Sequence, residues 1–499
     1  MNRRRPGRAV RRVCVAAMAA LLGAGLLTGC TADEPEPPPP SPVGSAPTVP
    51  PGGAAPAGTG VRNPFGAHWD WSRHDRFAPY LGKLAGSATY AELTWCDVER
   101  TPGSLDWSQV DRIADRSREL GITLHLKIRT GTCWATGGTA RYTRGAAGKT
   151  ESRMPADLAA YRRFVRGVVA RYAPRGVHEY AVENEVNSPS YWAGSPEEYQ
   201  TLVRAAAETI RAADPQGRVG DSGISSVAYG MGVADRLLRA GREADAVAAY
   251  RAYFQRRIGT RGQQIPEVTD AARLRDVLAT PTAARSLRFL AATEELLADG
   301  TVDIRQLHFY EHFTGVPPLL DYLRARTPAG TPIQAWEVGQ FWEDGDGDAA
   351  SRAAELVKTV TQLVAGGIDQ LCWLPLAYNP NNRAGAEVRY GLLDPDGTER
   401  EAGRALASLA EAARDATVAP LPPDAAAVLA GVAFTRGGST TLVLWSAAGA
   451  PVTVPAAATA ESATVGAPPR VGGPTTITAI PVLLRADRPV ADLLAGVGR

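Results

Sequence analysis

In "HEYAVENEVNSPSYW", His178 to Trp192, an apolar run through Tyr180, Ala181 and Val182 ends in Glu183-Asn184-Glu185. Buried runs rarely close on two carboxylates around an amide, because a buried charge without partners is costly. A further carboxylate, Glu337, closes the run "TPIQAWEVG". Two carboxylates facing each other across a pocket can hydrolyse a glycosidic bond. One stays protonated to release the leaving oxygen, and the other stabilises or attacks the anomeric carbon. Glu185 and Glu337 are the candidates for these roles. Period-two alternation puts Glu183 on the same side as Glu185 and makes it the rival acid/base. Glu185 is preferred because it lies nearer the strand end and follows Asn184, which leaves Glu183 as a supporting partner. A different chemistry is offered by "HFYEH", His308 to His312, which fits the zinc-protease pattern H-x-x-E-H. That pattern requires a helix, and the aromatic, strand-like run followed by Gly315, Pro317 and Pro318 argues against one, so no metal is expected.

The elements that would carry these residues alternate. Strand-like runs occur at Pro64 to Trp71, Ala88 to Trp95, Ile122 to Ile128 and Val177 onward; a weak one follows near Arg218 to Ile224. Three more follow at Val302 to Tyr310, Thr331 to Gly339 and Gly367 to Leu376. Helical spacing of apolar residues separates them, as in Leu158, Tyr161, Val165, Val168 and Tyr172. Ser195-Pro196-Glu197-Glu198 reads as a capping box with Pro at the first helical position. About eight strands alternating with helices predict a parallel (β/α)₈ TIM barrel of class α/β. An open doubly wound sheet is disfavoured, because "GAHWDWS" after the first run lacks a glycine-rich phosphate turn. In such barrels the chemistry sits at the C-terminal strand ends, where Glu185 (strand four) and Glu337 (strand seven) fall. Eight Trp also fall at or just past strand ends: 69, 71, 95, 134, 192, 336, 342 and 373. They are expected to form flat apolar walls of the kind that stack on sugar rings.

Asn184-Glu185 after an apolar strand, with "VNSPSYWAGSPEEY" behind it, resembles the signature of the large Asn-Glu clan (clan A) of retaining (β/α)₈ glycoside hydrolases. The likeness is strongest to members related to the β-xylosidase and cellulase-like families. The resemblance covers residues 63–415 and implies roles by position. Glu185 would be the acid/base, Asn184 the ligand of the sugar 2-hydroxyl, and Glu337 the nucleophile. His308 and Tyr310 match the clan's strand-six pair, with Tyr310 orienting the nucleophile. Trp373 would be the aromatic floor under the reacting sugar, and Trp192 and Trp69 are further substrate-binding candidates. Two departures bear on the individual family: Val186 stands where many members have Pro, and Tyr90 and Glu92 stand where several carry a strand-two Arg.

Around this body the chain is organised as a membrane-anchored protein. Residues 1–30 read as a lipoprotein signal peptide: a basic stretch to Arg12, an apolar stretch from Val13 to Leu27, and the lipobox Leu27-Thr28-Gly29-Cys30. Cys30 is the expected lipidation site, and the protein is expected to be extracytoplasmic and held to the cell membrane only through that lipid. Residues 31–62, rich in Pro, Gly and Ala, read as an extended tether. Residues 233–300 form a long insertion expected at the pocket rim, and residues 416–499, with a hairpin at Gly437-Gly438, a small β-sandwich. Cys96 and Cys133 lie just past the exits of neighbouring strands two and three, and in an oxidising compartment they are expected to pair. A net charge of +2 is too small to point to a nucleic-acid partner, and no residue pattern points to a cofactor. The expected partner is a carbohydrate; the alternative is a non-catalytic carbohydrate-binding lipoprotein on the same scaffold.

Overall fold

The computed structural model describes residues 61–69, 71–144, 148–259, 265–342, 348–379, 390–455, 461–465 and 468–497. The leader, the lipobox and nearly all of the tether lie outside the described residues. The alternating pattern folds as eight parallel strands: β1 (Phe65–Ala67), β2 (Ala88–Thr94), β3 (Thr123–Arg129), β4 (Glu179–Val182), β5 (Arg218–Gly220), β6 (Arg305–Phe309), β7 (Ile333–Val338) and β8 (Ile368–Trp373). They pair in two four-stranded sheets, ordered β1-β8-β7-β6 and β2-β3-β4-β5. Parallel bridges Gly220↔Ile304 and Ile224↔Leu307 join β5 to β6. At the other seam β1 presses so close to β2 that a side chain at Gly66 would place its Cβ 2.0 Å from the Ala88 carbonyl oxygen. Only glycine permits that approach. The strands thus run in sequential order around a barrel.

The principal helices are α1 (His74–Leu81), α2 (Ser108–Glu119), α3 (Leu158–Tyr172), α4 (Pro196–Ala213), α5 (Ser226–Arg239), α6 (Glu243–Tyr253), α7 (Ala271–Leu278), α8 (Pro281–Ala298), α9 (Val316–Arg326), α10 (Ala349–Ala365) and α11 (Glu401–Ala413). The capping box is present: Ser195 Oγ accepts from the Glu198 N–H, and the Glu198 carboxylate accepts from the Ser195 N–H. Its two reciprocal bonds fix where α4 starts, and so where the loop leaving β4 must end. Four helices, α5 to α8, lie between β5 and β6, and the first of them starts at Ser226 with an apolar face through Ala228, Tyr229 and Val233. This insertion does reach the strand-six exit: Arg257 pairs with Glu311, and Tyr253 packs edge-on against Phe309 at 5.9 Å.

Beyond the barrel lie β9 (Thr417–Ala419), β10 (Leu429–Arg436), β11 (Ser439–Ser446), β12 (Val452–Val454), β13 (Glu461–Thr464), β14 (Arg470–Val471), β15 (Thr475–Ile477) and β16 (Val482–Ala486). Six of them form one antiparallel sheet, ordered β9-β10-β11-β16-β13-β14, and β12 and β15 form a two-stranded ribbon. Leu442, Leu444 and Leu484 share a small core with Val454 and Ile477 of the ribbon. The opposite face, with Val432, Phe434, Val443 and Trp445, belongs to the core cluster of the barrel itself. The Cys96–Cys133 disulfide is formed, linking the segments that leave β2 and β3.

Candidate active site

The barrel interior is layered. At one level His125, Glu179, Gln334 and Gln370 interlock by side-chain bonds, with Trp336 stacked on His125 at 4.8 Å. Tyr90, Ala181, Trp336 and Cys372 form a compact apolar group within the same interior. Towards the C-terminal strand ends the lining turns ionic, and this is where the candidate residues meet.

Glu337 reaches the interior through a bulge in β7. Against β6, Gln306 pairs with Gln334 and His308 with Glu337; against β8, Leu371 pairs with Ala335 and Trp373 with Val338. The extra residue breaks the alternation, so that Trp336 and Glu337 both face inward, as bulges beside active sites commonly arrange. At β4 the regular strand stops at Val182, and Glu183 (φ 69°) and Glu185 (φ 41°) both adopt left-handed backbone. That conformation is costly for residues other than glycine and is characteristic of functional sites. It also ends the period-two pattern on which the Glu183–Glu185 rivalry rested. Glu183 turns to β3, accepting from the Thr130 N–H at 2.8 Å with Arg129 Nε 3.8 Å away, and burial raises its pKa. Glu185 turns to His308.

His308, on β6, holds the two candidate carboxylates together. Its Nδ1 lies 2.9 Å from Glu185 Oε1 and 3.4 Å from Glu337 Oε2. One oxygen of each carboxylate and a ring nitrogen of His308 lie within 4.8 Å of one another. Tyr310 donates its hydroxyl to Glu337 Oε2 at 2.9 Å. Burial, then the neighbouring Glu337, push the Tyr310 phenol well above its ordinary pKa and keep it a donor. The fit is tight: a Cβ at Gly223 (φ 64°), just past β5, would lie 2.3 Å from His308 Nε2.

At the centre of this group is a residue that the motif reading passes over, Lys127 of β3. Its Nζ donates to Glu337 Oε1 at 2.6 Å and Asn184 Oδ1 at 2.7 Å, and lies 3.2 Å from His308 Nε2. Lys127 also sits 4.2 Å over the Tyr90 ring. Burial works to raise the Glu337 carboxyl; His308 and Lys127 overcome it and hold the group down at about 2. Asn184, its oxygen bound to Lys127, keeps its NH₂ for a ligand. His68, also unmarked by any motif, stacks on Tyr90 at 4.1 Å and donates from Nδ1 to the Tyr90 carbonyl. Burial lowers its pKa to about 4, so the ring is neutral and Nε2 is an acceptor. Beyond it Glu92 pairs with Lys149 at 2.5 Å.

Glu185, His308 and Glu337 are also the one group among the described residues with the geometry to hold a metal ion. The Lys127 ammonium already supplies positive charge there, 2.6 Å from Glu337, and opposes a second cation. The H-x-x-E-H triplet does not converge: Glu311 is bound to Arg257 and Ser226, while His312 contacts Thr314 and Glu355.

The Trp residues do not form the expected wall. Trp95, Trp192, Trp336 and Trp373 are fully buried, and Trp69 and Trp342 nearly so. Trp192 donates to the Ser195 carbonyl and packs edge-on against Tyr199. On β8 alternation gives the interior position to Cys372, so Trp373 joins the large core cluster instead of flooring the pocket. Trp69 lies against Trp71 at 3.8 Å. Of the ten Trp, Trp134 is the one among the large exposed hydrophobics.

No protein-family model and no curated protein sequence matches the chain. Among solved structures it is similar to a family 39 glycoside hydrolase from the gut symbiont Bacteroides cellulosilyticus WH2, at 14% identity over 85% of this chain and 81% of that one, with a TM-score of 0.56. A family 39 β-xylosidase from Caulobacter crescentus matches at 16% identity over 87% and 98%, TM-score 0.56. A glucosidase from Croceicoccus marinus matches at 11% over 86% and 96%, TM-score 0.53. At these identities the likeness is one of fold. The chain has the α/β barrel fold of these glycoside hydrolases.

Proposed function

We propose that the protein is a retaining glycoside hydrolase acting on O-glycosidic bonds of an extracellular oligo- or polysaccharide. The observation that carries this reading is that one carboxylate oxygen of Glu185 and one of Glu337 lie within 4.8 Å of each other and of a ring nitrogen of His308. Retaining enzymes separate their carboxyl groups by about 5–5.5 Å, whereas inverting ones need roughly 6.5–9.5 Å to admit a water. Glu337, kept ionised by Lys127 and oriented by Tyr310, attacks the anomeric carbon. Glu185 protonates the departing oxygen. The glycosyl ester on Glu337 is then opened by a water that gives its proton to Glu185, and the sugar leaves with its original anomeric configuration. Asn184 and His68 offer a donor and an acceptor to sugar hydroxyls. The basic leader and the lipobox ending at Cys30 support an enzyme anchored outside the cytoplasm.

The test uses residues 60–499 and a panel of aryl glycosides, with product configuration read by NMR. Hydrolysis of at least one with retention is expected. Glu337→Gln should abolish it. Glu185→Gln should lower kcat/KM by about 10²–10⁴-fold for poor leaving groups, less for good ones, and azide should partly restore turnover. An inverted product, or no hydrolysis of any glycoside, overturns the reading.

A further inference from the structure

Outside the catalytic group the structure holds a groove of about 470 Å³ at the same end of the barrel. One wall is Trp134, which follows the exit of β3, and α3 forms the other. The groove exists because α3 presents small residues there: Ala160, and Gly167 beside Trp107. Trp134 is 40% exposed and Leu105, at the rim, 47%. They are two of only five large exposed hydrophobics among the described residues, and both line this groove.

Trp134 is held in place and cannot fold down onto the core. Its indole N–H donates to the Glu99 carbonyl at 2.7 Å, and its ring meets Trp95 edge-on at 5.7 Å. The disulfide from the adjacent Cys133 to Cys96 ties its loop to the Trp95 segment. Behind it Trp95, Phe164 and Trp107 stack in series at 5.3 and 5.8 Å, a rigid aromatic base. The rim is charged, with Asp157 and Arg163 exposed and 3.8 Å apart.

We propose that this groove is a second, non-catalytic saccharide-binding site, taking a stretch of the same polymer that the catalytic group cleaves. The ligand class rests on the functional reading above. A pyranose has apolar C–H faces that lie on an indole ring and a rim of hydroxyls that pair with carboxylate and guanidinium groups. The size suits it, since small-molecule sites run from about 300 to 1,000 Å³. An apolar peptide would strip water from the Asp157–Arg163 pair and offer it no hydrogen bonds in return, at a desolvation cost. A neutral, hydroxyl-rich chain satisfies both the ring and the rim.

The experiment is native affinity electrophoresis of residues 60–499 in gels containing soluble xylan, mixed-linkage β-glucan or galactomannan, with Glu337→Gln as background so that the polymer stays intact. Retardation is expected in at least one gel, with Trp134→Ala raising the apparent Kd about tenfold and Trp134→Phe restoring much of it. On the Glu337 background restored to wild type, Trp134→Ala should leave kcat/KM for an aryl monoglycoside within about twofold and lower the rate on the retarding polymer. Equal retardation of Trp134→Ala and its parent, or no retardation in any gel, overturns the proposal. Trp134-dependent retardation without aryl-glycoside hydrolysis would instead sink the catalytic reading and leave the groove standing.

Discussion

Lys127 faces three partners at once: the nucleophile candidate, the amide beside the acid/base candidate, and the histidine that touches both. Its removal should be read in the pH profile. Glu337 must be ionised to attack, and at about 2 it is ionised throughout the working range. In Lys127→Met burial is opposed only by His308 and the Tyr310 hydroxyl, so the carboxyl pKa rises and the acidic limb of kcat/KM moves to higher pH, by roughly one to three pH units. An unmoved limb would mean that Lys127 only fills space. Glu185 and Glu337 are legible in the sequence because a carboxylate ending an apolar run needs a reason to be there. Lys127 is not, since within "ITLHLKI" it resembles the polar side of any strand. His68 is hidden likewise, and its role appears only when β1 and β2 bring it onto Tyr90.

Element order is readable from periodicity, but the aim of a side chain depends on breaks in that periodicity. The β7 bulge brings Glu337 inside; strict alternation from Gln334 and Trp336 would send it outward. On β8 alternation holds from Gln370 onward and takes Trp373 away from the pocket. The weak fifth strand matters through its exit, where Gly223 takes positive φ and leaves room for the His308 ring. Gly223→Ala would combine backbone strain with a 2.3 Å clash against Nε2 and displace the histidine from both carboxylates. We expect kcat/KM to fall by at least about tenfold, with a loss of roughly 1–3 kcal/mol in stability. Steady-state kinetics on the best aryl glycoside and thermal unfolding check both. Unchanged kinetics would show that the ring has freedom the packing denies it.

The disulfide and the C-terminal sheet act on the molecule as a whole. Cys96 and Cys133 close a loop of 37 residues, so Cys96→Ser with Cys133→Ser should cost up to about 3–4 kcal/mol while leaving the chemistry intact. The C-terminal hairpin is legible from its glycines and alternation, but not that both of its faces would be covered. β10 and β11 give Leu442 and Leu444 to their own small core and Phe434, Val443 and Trp445 to the barrel's. Phe434 meets Phe65 of β1 edge-on at 6.0 Å, next to the Gly66 seam where the barrel closes. The sheet is therefore part of the wall that keeps β1 in register, and its loss should reach the active site through the first strand. Phe434→Ala should cost about 3–5 kcal/mol and lower the temperature at which aryl-glycosidase activity is lost together with that of the global unfolding transition. An activity midpoint that stays put while the sheet alone melts earlier would show instead that the sheet is an independent appendage.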